Sequence, residues 1–307
     1  MSSNPFTPQR GTESAIMQIF LNGTNVVTLP GAPTGSLLKY DFGGNMNFIN
    51  KEMSASSYNM IYSTPNITTA NNNTSFSFEW PTTGTNYTVS LLNPGFYQVS
   101  DLNAAMDAVM DTNYLYLTNA STGASFFFLQ LVINTNSYGI QLIATPIPTS
   151  VTAGIWSGWT LPSGATWTLP ATMPMTPLLN VPATNWGSLI GFSVGTYPSA
   201  TQSTVYSHLS DFIPIVTPTN LFVVIADCVN NPGGQQSQKN FLLQFPPNGP
   251  WASLIGPGSN LTEKWVTCVD GPRPTINLQV LNQNLQPVTI LDNSGTGIML
   301  SIRDRRF

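Results

Sequence analysis

His208 is the only histidine in 307 residues. Acid–base catalysis needs a proton carrier within hydrogen-bond reach of a nucleophile or of a second titratable group. No serine or cysteine pattern nominates such a partner, so His208 reads as structural. Cys228 and Cys268 lie in separate segments with no CxxC and no histidine cluster, which excludes the usual zinc spacings. They read as two buried thiols or as one disulfide. Asp292-Asn293-Ser294-Gly295 shares a fragment of a calcium loop but lacks the remaining ligand spacing and the closing glutamate; each of its residue types suits a turn. No G-x-S-x-G, P-loop or G-x-G-x-x-G stands at a strand–helix junction. The 13 acidic residues show no pattern suited to glycoside hydrolysis. The sequence thus assigns no catalytic residue, no metal ligand and no cofactor, and the expectation is a protein that is not an enzyme.

Aromatic side chains are the chemistry that remains. Trp156, Trp159 and Trp167 stand among glycines and threonines in a proline-rich stretch. Exposed indoles stack on sugars, and buried ones anchor protein interfaces or pack loops onto a core. These three are the candidate interface or glycan-contact residues.

Only 7% of residues are charged, against about 25% in an ordinary soluble domain. Nine basic and 13 acidic side chains, spread over the roughly 12,600 Å² expected for this mass, leave one charge per roughly 570 Å². The surface must be covered by Asn, Thr, Ser and Gln, or hidden against neighbours. Interface cores are depleted in charge and enriched in aromatics and methionine, and this chain has 11% aromatics and 10 Met. Two readings stand at this point: a subunit of an assembly, or a Thr/Asn-rich secreted β protein that stays soluble without much charge. A net charge of −4 argues against nucleic acid as a partner beyond Arg303, Arg305 and Arg306. No run of 18 apolar residues supplies a membrane span. The opening residues lack the apolar core of a secretion signal, so a reducing interior is expected, with the sequons at Asn22, Asn66, Asn86, Asn119 and Asn260 unused.

Short apolar runs rich in β-branched and aromatic residues, separated by Gly, Pro, Asn and Ser, predict an all-β domain. Residues 1–14 read as a flexible arm, 15–302 as one domain and 303–307 as a basic tail. Strands are expected at 15–21, 58–62, 75–80, 87–92, 126–133, 138–144, 221–228, 241–245, 265–269 and 275–281, with a last strand marked by Ile298, Leu300 and Ile302. One helix is expected over 101–111, with Ser100 as its N-cap and Leu102, Met106, Val109 and Met110 on one face. Residues 145–200, dense in Pro and Trp, read as a long loop elaboration. The fold class that follows is a single jelly-roll β-sandwich of about eight strands, with one short helix and long loop insertions.

Three stretches in this order carry a resemblance. They are Asn93-Pro-Gly-Phe-Tyr-Gln-Val-Ser-Asp-Leu-Asn103 with Tyr114–Leu117, then Asn185-Trp-Gly-Ser-Leu-Ile-Gly-Phe-Ser-Val-Gly-Thr-Tyr-Pro198, then Trp265-Val-Thr-Cys-Val-Asp-Gly271 with Leu281–Pro287. The chain resembles the jelly-roll capsid proteins of virophages, polinton-like viruses and related large DNA viruses. Its length and single set of motifs resemble the penton, or minor capsid, proteins of that lineage. The resemblance implies a virion protein that closes icosahedral fivefold vertices as a homopentamer, contacts major capsid protein neighbours and meets a host receptor or glycan. The alternatives are a trimeric major-capsid-type subunit and a glycan-binding host-attachment sandwich. The arm at 1–14 would become ordered against neighbours in the shell.

Overall fold

The computed structural model describes residues 16–28, 30, 33–217, 219–230, 240–256 and 264–305. The arm expected at 1–14, Arg306 and the sequon at Asn260 lie outside them. Within them the predicted runs do become antiparallel strands, but these sort into two compact units. Met1–Thr64 and Thr219–Phe307 form the first unit, and Pro65–Pro218 the second. The single domain expected over 15–302 is therefore corrected. What reads as a loop elaboration at 145–200 is part of a larger insertion, and the strands expected at 75–92 and 126–144 belong to that insertion. Alternation reports only that one face of a strand is buried, and either of two cores satisfies it.

Of the nine strands described in the first unit, eight build its framework: β1 (Met17–Asn22), β2 (Leu37–Asn47), β3 (Lys51–Ile61), β4 (Phe222–Ala226), β5 (Phe241–Phe245), β6 (Leu254–Ile255), β7 (Pro272–Leu281) and β8 (Gly297–Asp304). One sheet runs β1-β8-β3-β6 and the other β2-β7-β4-β5, every pair antiparallel. The neighbours β1·β8, β2·β7, β3·β6 and β4·β5 are the rungs of one long hairpin, four strands against four, rolled up on itself. That is a jelly roll, the expected fold. The alternating β7 puts Ile276, Leu278 and Val280 into the core, where they meet Ile298, Leu300 and Ile302 of β8. Val266–Thr267 adds a short pairing to β3.

β2 carries no strand signal in the sequence, and β3 carries one only in its second half, where a strand is expected at 58–62. Gly43 and Gly44 interrupt β2, and the first half of β3 is rich in serine. Ser54 is nevertheless fully buried. Partners on both sides of β3 supply the order that its local propensity lacks.

The insertion carries its own core. A four-stranded sheet (Gly195–Tyr197, Leu178–Val181, Ser75–Trp80, Thr85–Ser90) and a three-stranded sheet (Tyr206–Leu209, Gly139–Ala144, Leu129–Asn134) hold most of its strands. Helix α1, Val99–Thr112, buries Leu102, Met106 and Met110 in that core, with Val109 partly covered. Ser100 lies inside its first turn, so the expected N-cap is corrected to Gln98. The Asp101 carboxylate reaches back to accept from Gln98 N–H at 2.8 Å, a bond that a cap at Ser100 would forfeit. A five-residue helix, Trp186–Ile190, has no signal in the sequence. The insertion leaves and rejoins the roll at neighbouring points. Tyr62 Oη donates to Thr219 O at 3.4 Å within the roll, and Asn66 Nδ2 donates to Val216 O at 3.0 Å within the insertion.

Charge divides with the units. Residues 65–218 contain five acidic side chains and no lysine or arginine, so all nine basic residues fall in the two segments of the roll. There they are partly spent on the fold. Lys51 Nζ lies 2.7 Å from Asp304. Arg303 pairs with Glu52 and stacks its guanidinium 3.7 Å over Trp265. Arg305 donates to Cys268 O at 2.9 Å. The basic tail expected from 303 is corrected accordingly: Arg303 belongs to β8 and Arg305 folds back onto the roll, because internal acceptors are within reach of both.

Two outcomes follow. A version with 65–218 replaced by a short Gly-Ser linker, and 65–218 expressed alone, should each show one cooperative urea transition; absence of such a transition from either piece contradicts the two-core division. Half-burial on α1 pushes the Asp107 carboxyl up to about 6 from 3.8. A raised carboxyl favours folding below its unfolded pKa, and that contribution is lost as pH rises through the folded value. Asp107→Asn should therefore match the native protein at pH 4 and exceed it by about 1 kcal/mol at pH 7.5, after discounting for solvent screening. A pH-independent difference in urea midpoints would contradict this.

Candidate functional site

The motifs that stand out in the sequence are spent on the scaffold. In the first, Gly95 exchanges both backbone hydrogen bonds with Ile67, each at 3.1 Å. Asn66, 3% exposed, donates from Nδ2 to Tyr97 O at 2.9 Å and Val216 O at 3.0 Å, and accepts from Tyr97 N–H at 2.8 Å. Its amide is fully committed, so this sequon offers no free nitrogen for a glycan. In the second motif, Trp186 stacks on Phe76 at 4.1 Å and 17° in the core. Gly191 turns the chain at φ +78°, and a Cβ there would lie 2.2 Å from Phe212 O. The third motif supplies Trp265 to Arg303 and Asp270 to Arg305.

The candidate aromatics are not gathered on an open platform. Trp167 is 3% exposed, donates from Nε1 to Tyr114 O at 2.6 Å and meets Trp80 edge to face at 5.0 Å. Its expected role as a contact residue is corrected: a buried indole with a satisfied N–H has no face left for a ligand. Trp156 and Trp159 are half-buried, 5.9 Å apart at 74°. Each packs edge-on against Phe126. Such a nest stabilises a loop, while a sugar platform needs a flat open ring.

His208 Nε2 lies 3.1 Å from Asp211 Oδ1. Asp211 also accepts from Ser193 N–H at 2.7 Å and Tyr197 Oη at 2.8 Å. Burial alone would raise this carboxyl, but the bonds from Ser193, His208 and Tyr197 outweigh it and hold the group well below the usual carboxylate range. The arrangement ties Asp211 to the loop after Trp186–Ile190. Cys228 and Cys268 are free and buried, and burial pushes the Cys268 thiol up to about 12. Asp292 accepts from Ser294 N–H at 2.8 Å, the turn expected there. Among the described residues no three of His, Cys, Asp and Glu gather into a metal-binding group.

What the scaffold leaves exposed is an uncharged groove on the insertion, with a cavity of about 460 Å³. Phe96, Val99, Ile140 and Val216 are among its lining, with Tyr138 and Pro214. No Asp, Glu, Lys, Arg or His lines it. Tyr138 and Ile133 are 80% and 60% exposed, and Ile213 and Ile215, on either side of Pro214, are exposed too. An apolar concavity with an apolar rim marks an interaction surface. It can bury apolar side chains, and it holds no acid–base pair. Nothing in the sequence hints at it, because its walls come from four segments between residues 96 and 217.

No family model matches the chain, and no curated protein matches it. Among solved structures it is similar to the selenomethionine-labelled mavirus penton protein, with 10% identity, a TM-score of 0.43, and coverage of 95% of this chain and 99% of that one. It is also similar to a chain in the cryo-EM structure of the Sputnik virophage, with 12% identity, a TM-score of 0.36, and coverage of 96% and 98%.

Proposed function

We propose that this chain is a structural subunit of an icosahedral virus capsid, closing the fivefold vertices as a homopentamer beside major capsid proteins. The observation that carries this reading is the roll itself, with sheets β1-β8-β3-β6 and β2-β7-β4-β5, an architecture that capsid domains share with lectins and cupins. The chemistry favours the capsid among these. A cupin-type metal site has no ligand group among the described residues, and the tryptophans offered for glycans pack into a nest.

The place of the second unit supports a penton over a major-type subunit. It is inserted between β3 and β4, whereas a double-roll protein carries one complete roll after another. A cyclic pentamer needs a heterologous interface, one flank of each copy against a different flank of the next. The roll exposes Phe20 at 55% and Leu254 at 57%, while Lys51, Arg303 and Arg305 are already paired. Flanks with so few free charges assemble at little desolvation cost. The half-buried Trp156 and Trp159 remain candidate aromatics for a protein contact.

Native mass spectrometry of the purified protein over a range of salt concentrations tests the assembly. A species at five times 33.2 kDa is expected. A species at three times that mass would instead favour the major-capsid-type subunit, and a monomer under every condition would remove the self-closing pentamer.

A further inference from the structure

We propose that the open rung at Ile133, at the end of strand Leu129–Asn134 and beside the uncharged groove, accepts an extended, uncharged, apolar segment of another polypeptide paired in β fashion. This rests on the ladder and the groove, and is independent of the capsid reading.

The hydrogen-bond directions of the three-stranded sheet fix which rung is open. Ile140 C=O accepts from Ser210 N–H at 2.8 Å, and Ile140 N–H donates to Ser210 Oγ at 3.2 Å. Both groups of Ile140 therefore point away from Ile133, its partner in register. In an antiparallel ladder such a pair is non-hydrogen-bonded, and the N–H and C=O of the second residue point outward as well. Leu131, two residues earlier, points the same way, and there the edge is filled. Asn103 of α1 donates from Nδ2 to Leu131 O at 2.7 Å and accepts from Leu131 N–H at 2.9 Å. One side-chain amide thus stands in for a strand at one rung. At the next rung, Ile133, the groove takes the place of a partner.

Proteins usually blunt such an edge with a lysine, a proline or a bulge. The strand Leu-Gln-Leu-Val-Ile-Asn has none of these, Asn103 of α1 covers it at Leu131, and its register with Gly139–Ala144 is unbroken through Ile133. Strand addition supplies main-chain bonds for affinity and pockets for alternate side chains. Here the groove is the pocket. Its lining has no charge, and the insertion has no lysine or arginine, so an acidic segment would find no counter-charge. A basic side chain in the groove would be desolvated without a partner. The occupant that fits is uncharged, with bulky apolar residues at alternate positions.

The test uses the full-length protein and capped fluorescent heptapeptides with Thr at odd positions and Val, Leu, Phe or Trp at even ones. Matched peptides carry Glu or Lys at the even positions. Binding is read by anisotropy, and the edge is read by hydrogen exchange over residues 129–138. Ile133→Pro removes the outward N–H and trims the side chain that lines the groove, a change that edge strands accommodate; Val216→Trp fills the groove and serves if the first variant fails to fold. At least one apolar peptide should bind and slow exchange at the edge, and each variant should weaken binding by about tenfold or more. No binding by any apolar peptide, equal binding of the charged series, or affinity unchanged in both variants would overturn the proposal. So would concentration-dependent self-association abolished by Ile133→Pro, which would make a second copy the occupant.

Discussion

The return of the chain from Pro65–Pro218 to the roll is the constraint on which the rest of the molecule depends. β3 must end and β4 must begin within one sandwich, although a complete second unit stands between them in sequence. Closing so long a loop costs entropy that grows only logarithmically with its length, provided something rigid holds its ends. Two local devices do this. Within the roll, Tyr62 packs edge to face on Phe222 at 5.8 Å. Within the insertion, Asn66 binds the segments around Tyr97 and Val216 through one buried amide. With the ends held, β3·β6 and β4·β5 pair as though the insertion were absent, and the roll closes through β1·β8.

A second theme is how the chain manages with little charge. The roll concentrates its basic residues into specific pairs, of which Arg303 is the fullest example, with Glu52 on one side and the Trp265 ring beneath. The insertion has no lysine or arginine to pair, and three of its carboxylates show what takes their place. Asp101 is bonded to a helix N-terminus, Asp211 to a backbone amide and a tyrosine, and Asp107 is left half-buried with a raised pKa. Asparagine does the work elsewhere given to ion pairs: Asn66 ties three segments, and Asn103 fills one rung of a sheet edge. Neutral amides supply two-way hydrogen bonding without the desolvation cost of a buried ion.

These economies explain why the surface available for recognition is apolar. With charge largely spent or absent, partners are selected by shape, by exposed main-chain groups and by apolar contact. The groove beside Ile133 combines all three on the insertion, while Phe20 and Leu254 present apolar area on the roll. The two surfaces lie on separate units, and the chemistry of each is complete within its own unit.

By itself the sequence determined the fold class, the inward faces of β7 and β8, helix α1 with its Leu102–Met106–Met110 stripe, and the lack of metal and nucleophile patterns. All of these are local, because periodicity, composition and spacing are properties of short windows. Tertiary structure alone decided three things. It assigned each strand to one core or the other, since alternation is blind to which sheet covers a face. It ordered β2 and the serine-rich half of β3, whose propensity is weak and whose pairing is strong. It also built the groove and its open rung, because a hydrogen-bond direction at Ile133 is set by Ser210 on the far side of Ile140, some seventy residues along the chain, and no window of sequence contains both.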